Sequence, residues 1–60
     1  MDVNLSDADT ELLRRILTNY LADLRMEIVD TDNHEYKATL RGEQNQLRAI
    51  LDLLGGPAQA

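Results

Sequence analysis

Residues Leu12–Val29 read LLRRILTNYLADLRMEIV. Projected at about 100° per residue, Leu13, Ile16, Leu17, Tyr20, Leu21, Leu24 and Ile28 fall on one face of a helix. They recur at i, i+3, i+4 and i+7, the spacing of an amphipathic helix. Their arc covers roughly 140°, more than a two-helix seam requires. Glu11, Arg14, Arg15, Thr18, Ala22 and Arg25 occupy the opposite side. A strand is excluded, because Leu12-Leu13 and Ile16-Leu17 break strict alternation. The stripe reads as a core face rather than a ligand groove.

Working back from it, Met1 to Asn4 are expected to fray. Ser6 reads as the N-cap, with Asp9 three residues on as a shortened capping box. Leu5 stands where a hydrophobic staple would begin. Asp7, Asp9 and Glu11 suit the positive end of the helix dipole, and Glu11 with Arg15 makes a well-oriented i,i+4 pair. The first helix is predicted from about residue 7 to about residue 30, some 35 Å at the usual rise.

Working forward, Asp30-Thr31-Asp32-Asn33 is a break, since short polar side chains bond to local backbone and favour caps and turns. Asp32 with Glu35 reads as the capping box of a second helix, with Thr31 as the other candidate cap. Tyr36, Leu40, Leu47, Ile50, Leu51 and Leu54 mark a second apolar stripe. This predicts a helix from about residue 33 to about residue 54. Gly55-Gly56-Pro57 stops it, and residues 55–60 form a loose tail. The whole chain, 1–60, is thus one helical-hairpin domain. The competing reading is a small α-β-β-α unit. His34 to Arg41 alternate in polarity and could pair with Arg25–Val29, with Gly42 closing the second strand. An isolated two-stranded hairpin is marginal in water. Against the helix stands Gly42 itself, which costs about 1 kcal/mol relative to Ala.

A short turn makes the helices antiparallel. Reflection about that turn sets Tyr36 beside Ile28, Leu40 beside Leu24, Leu47 beside Leu17, and Ile50-Leu51 beside Leu13. Tyr20 then faces Glu43 and Gln44, the polar interruption in the second stripe. A buried Tyr hydroxyl needs a partner, so a hydrogen-bonded layer of Tyr20 with Glu43 or Gln44 would fix register. The alternative sets Tyr20 at the edge with Glu43 and Gln44 reaching outward.

The chain has 60 residues, no Cys, one His and a net charge of −5. Its core is marginal at this length unless it is very regular or completed by another chain. The acidic balance argues against binding a phosphate backbone or an anionic membrane. The N-terminus lacks the apolar run of a signal peptide, and no apolar run is long enough to span a bilayer. A reducing, cytoplasmic location is expected. No metal or cofactor site is expected. Glu27, Asp30, Asp32, His34 and Glu35 are the richest group of potential ligands. Asp30-x-Asp32 resembles the start of a calcium loop, but His34, Glu35 and Arg41 stand where Asp or Asn, Gly and a bidentate Glu belong. No catalytic set emerges either. Ser6 lies far from His34, and the Asp23–Glu27 pair at i,i+4 lacks a pocket. That pair is better placed to meet a basic group on another chain.

Leu5-Ser6-Asp7, Tyr20-Leu21-Ala22-Asp23-Leu24-Arg25-Met26-Glu27-Ile28 and Asp30-Thr31-Asp32-Asn33-His34-Glu35 together resemble a family of small uncharacterised bacterial helical-hairpin proteins. The resemblance extends to Leu54, and its specific part is Tyr20 to Asn33. It implies a helical hairpin and supplies no activity. Arg41-Gly42 departs from it where a helix former is expected.

The resulting expectation is an all-α, antiparallel two-helix hairpin that assembles, first as a dimer, into a four-helix bundle. Its function is that of a non-enzymatic interaction module that self-associates through these faces. The alternatives are an accessory subunit docked on a larger protein and an acidic regulator held on a basic surface.

Overall fold

In a computed structural model, which describes residues 3–57, the chain forms two helices, α1 (Asp7–Asp30) and α2 (His34–Leu53). At the start of α1 the Ser6 Oγ accepts the Asp9 N–H at 3.1 Å. This satisfies one of the donors that a helix start leaves free. The first-turn carboxylates Asp7 and Asp9 lie at the positive end of the dipole. Glu11 pairs with Arg14 at i,i+3, in place of the expected Arg15. Arg14 is also held from the far end of the chain, so the shorter spacing serves both contacts.

The turn differs from the sequence expectation in its cap. Asn33, rather than Asp32 or Thr31, begins α2, its Oδ1 accepting the Tyr36 N–H at 3.0 Å. Thr31 instead closes α1, its N–H donating to the Glu27 carbonyl at 3.0 Å. The Thr31 Oγ1 also accepts the Asn33 N–H at 3.3 Å. Thr31 and Asn33 each take a local backbone partner within reach, and Asn33 is the one adjacent to the first helical residue.

No strand occurs among the described residues, so the α-β-β-α alternative does not hold. The segment from His34 to Arg41 is helical, and α2 continues through Gly42. Its eight-residue alternation is outweighed by the stripe of Leu40, Leu47 and Leu51, which are all buried. Only a helical period brings those three onto one side.

At the end of α2 the Gly55 N–H donates to the Asp52 carbonyl at 3.2 Å, and the Gly56 N–H to the Leu51 carbonyl at 2.7 Å. This is the double closure of a Schellman motif, with Leu54 as C-cap. Both glycines have positive φ, 105° and 96°, a conformation that side chains other than glycine's resist. Residues 55–57 therefore do not belong to a loose tail. Gly55 and Gly56 are bonded to α2, and Gly56 and Pro57 accept hydrogen bonds from Arg14. The expected fraying of Met1 and Asp2 and the looseness of residues 58–60 lie outside the described residues.

The two helices lie side by side in a slab of 40 × 29 × 12 Å, one helix thick. The radius of gyration is 13.1 Å, where a compact domain of this length would have about 10 Å. The accessible surface is 4892 Å², against roughly 4,000 Å² for a compact monomer of this mass. Leu24, Ile28, Leu40 and Leu47 form the core cluster, with Leu17 and Leu21 packed against it. Leu51 is buried farther along α2. A second layer, which most domains use to close a core, is missing from this arrangement of residues 3–57.

Candidate interaction face

The thinness of the slab sorts the predicted core residues into three groups. Leu24, Ile28, Leu40, Leu47 and Leu51 are buried in the seam. Leu13, Leu17, Leu21 and Leu54 are half-buried. Ile16, Tyr20, Tyr36 and Ile50 are exposed. An arc of about 140° cannot be covered by one neighbouring helix, and what overflows the seam remains in water.

The overflow of the two stripes lies on one side; Met26 and Val29, which are 66% and 78% exposed, lie elsewhere on α1. From the seam of α1, Tyr20, Ile16 and Leu12 step progressively to one flank at 100° per residue. From the seam of α2, Tyr36, Glu43 and Ile50 step to one flank. Because the helices are antiparallel, these two flanks share a side. The Tyr20 hydroxyl donating to Glu43 Oε1 joins them across the top of the seam. Leu12, Ile16, Tyr20, Tyr36 and Ile50 are between 37% and 51% exposed, and they make one apolar face of the hairpin.

The polar layer therefore sits at the edge. Tyr20 is 47% exposed and Glu43 and Gln44 are half-buried, with Glu43 the residue that bonds to Tyr20. The Tyr20 phenol is raised above its usual pKa near 10, first by this hydrogen bond and the Glu43 charge, and to a smaller extent by Glu27 and Tyr36. Glu43, through its bond and its charge, is thus the main influence on the hydroxyl.

The basic charges are confined to one broad side, while carboxylates occur on both, Glu11 beside Arg14 among them. Asp9, Asp23, Glu27 and Glu43 project to the apolar side of the seam. Arg14, Arg25, Lys37, Arg41 and Arg48 project to the other side, and Arg15 lies toward its back. All six Lys and Arg side chains are thereby kept off the apolar face.

Arg14 was expected on a free outer surface. It is instead part-buried, donating through Nε to the Gly56 carbonyl at 2.8 Å and through Nη2 to the Pro57 carbonyl at 3.2 Å. Nothing in the spacing of the sequence marks this contact. It requires knowing that the turn after α2 folds back toward the first half of α1.

Elsewhere, Ala22, Arg25, Met26, Val29 and Asp30 line an open depression of about 460 Å³. All five belong to one helix, so the depression has a single wall. Among the described residues no group of three or more His, Asp or Glu side chains converges to hold a metal ion. Among them, too, no helix is long and apolar enough to cross a membrane. Comparison of the chain with known protein families, with curated proteins and with solved structures finds no match.

Proposed function

We propose that this chain is a non-enzymatic protein-interaction module whose apolar face is completed by another polypeptide. One observation carries the reading: Leu12, Ile16, Tyr20, Tyr36 and Ile50 are exposed on one side of a slab a single helix thick. Exposed apolar patches of this kind mark interaction surfaces in small proteins. A 60-residue chain with five buried large side chains has little core of its own, since each contributes only about 1.5–3 kcal/mol. Covering the face would roughly double the layers that shield them.

A second copy laid face to face would give a four-helix bundle. A helix of a larger protein would give a three-helix unit. On either arrangement the module acts by binding, and its cysteine-free composition suits the reducing conditions of the cytoplasm. Asp23 and Glu27 are solvated side chains at the border of the face, placed to steer a partner rather than to transfer protons.

Sedimentation equilibrium of the purified chain over a wide concentration range separates the two arrangements. A discrete dimer or tetramer supports self-assembly. A monomer with an intact helical signal leaves the face for a different protein. A monomer whose Ile16→Ser and Tyr36→Ser variants bind every tested partner as the parent does would defeat the reading.

A further inference from the structure

We infer that the occupant of the apolar face is a basic amphipathic helix of a different protein, laid along the seam between α1 and α2. The inference rests on the interaction-module reading and goes beyond it by assigning the partner's chemistry.

The argument is one of charge complementarity around an apolar stripe. Ile16, Tyr20, Tyr36 and Ile50 supply the hydrophobic floor. The carboxylates of Asp9, Asp23, Glu27 and Glu43 lie along the same side, and Lys and Arg are absent from it. A second copy presented face to face would bring carboxylates toward carboxylates, with no Lys or Arg from either copy to meet them. Like charges so placed at an interface are destabilising. A helix with its own apolar stripe flanked by Lys or Arg meets the same floor with opposite charges at the rim. Glu43 is already engaged by the Tyr20 hydroxyl, which holds that carboxylate at the middle of the face. Asp23 and Glu27 lie one turn apart on α1 and form an acidic edge beside it. The slab's length of 40 Å accommodates a partner helix of roughly 20 residues or more.

The test uses the full chain and three synthetic peptides of about 18 residues, long enough for five helical turns. One carries leucines at i, i+3, i+4 and i+7 with lysines elsewhere. A second replaces the lysines by glutamates. A third scrambles the first. Binding is followed by amide chemical shifts. The expected result is that the lysine peptide binds and moves the signals of Ile16, Tyr20, Tyr36 and Ile50. Its affinity should fall about threefold or more both in Asp23→Asn/Glu27→Gln and on raising salt. Ile16→Ser should weaken it separately, and the scrambled peptide should leave those signals in place. Equal binding of the lysine and glutamate peptides would overturn the charge assignment and leave the interaction reading standing. So would a face-to-face homodimer in which the same four residues are covered. Equal shifts with the scrambled peptide would show charge attraction without a docking face and overturn the inference. A monomer that binds none of the three would defeat both readings.

Discussion

The Arg14 Nε–H donates to the Gly56 carbonyl at 2.8 Å, linking residues 42 positions apart. The contact joins the early turns of α1 to the motif that ends α2. No basic residue lies in the last turn of α2, although the negative end of a helix dipole favours one. Arg14 supplies that charge from the neighbouring helix. Glu11 holds the guanidinium from the other side.

Replacing Arg14 by Met keeps most of the aliphatic stem and removes the donors to Gly56, Pro57 and Glu11. We expect a loss of about 1–2 kcal/mol, the lower range for bonds from a charged donor because the group is partly exposed. Urea denaturation measures it. Amide exchange at Gly55 and Gly56 should accelerate together. Unchanged stability and exchange would mean the latch is not formed in solution.

Gly42 lies inside α2, and a Cβ built there meets nothing within 4 Å. Its φ is not among the positive values, which belong to Gly55 and Gly56. The glycine therefore contributes backbone freedom to the unfolded chain without meeting a steric need in the fold. Gly42→Ala should stabilise by about 1 kcal/mol, a rise in Tm of roughly 4–8 °C for a domain of this size. Calorimetric melting decides it, and a lower Tm would show that position 42 needs its glycine.

The helical period of Leu12–Val29 was legible because buried apolar side chains follow the helix repeat, and the stop at Gly55-Gly56-Pro57 because it rests on local backbone chemistry. The hairpin followed, since two apolar stripes joined by a short turn have one simple way to meet. Gly42 pulled the reading toward a break that does not occur, because a single glycine's cost is small beside the burial of Leu40, Leu47 and Leu51. The Tyr20–Glu43 pair was reachable by reflecting one helix on the other. Its place at the edge was not, since that depends on the rotation of both helices about the seam. Arg14 was misplaced for a similar reason. Its partners are backbone carbonyls beyond α2, and carbonyls have no sequence signature. The confinement of Lys and Arg to one side becomes visible only after the wheels of α1 and α2 are oriented against each other.

Asn33, and neither of the expected caps Asp32 and Thr31, is the residue whose side chain accepts the Tyr36 N–H. Asn33→Ala should destabilise by about 1 kcal/mol, the usual cost of a lost N-cap. Asp32→Ala should change stability by less than about 0.5 kcal/mol, as exposed substitutions generally do. Chemical denaturation of the two variants side by side gives the comparison. The reverse order would return the cap to Asp32.

Tyr20 provides a titration that reports on the apolar face. Its neutral phenol is favoured in the fold by the Glu43 bond and charge, so the folded-state pKa lies above the ordinary value near 10. The sign of the linkage follows: the stabilisation is fully present below pH 10 and is lost as pH rises through the folded pKa. In a Tyr36→Phe background the phenolate absorbance belongs to Tyr20 alone, because the chain has two tyrosines and no Trp. Its midpoint should lie above 10, and Glu43→Gln should bring it down toward 10. The Tyr20→Phe variant should lose less stability than the parent as pH rises above 10, with little difference near neutrality, where an exposed hydrogen bond contributes little. A Tyr20 midpoint that is unaffected by Glu43→Gln would show that the two side chains are apart in solution, and with it the bridge across the face would fall.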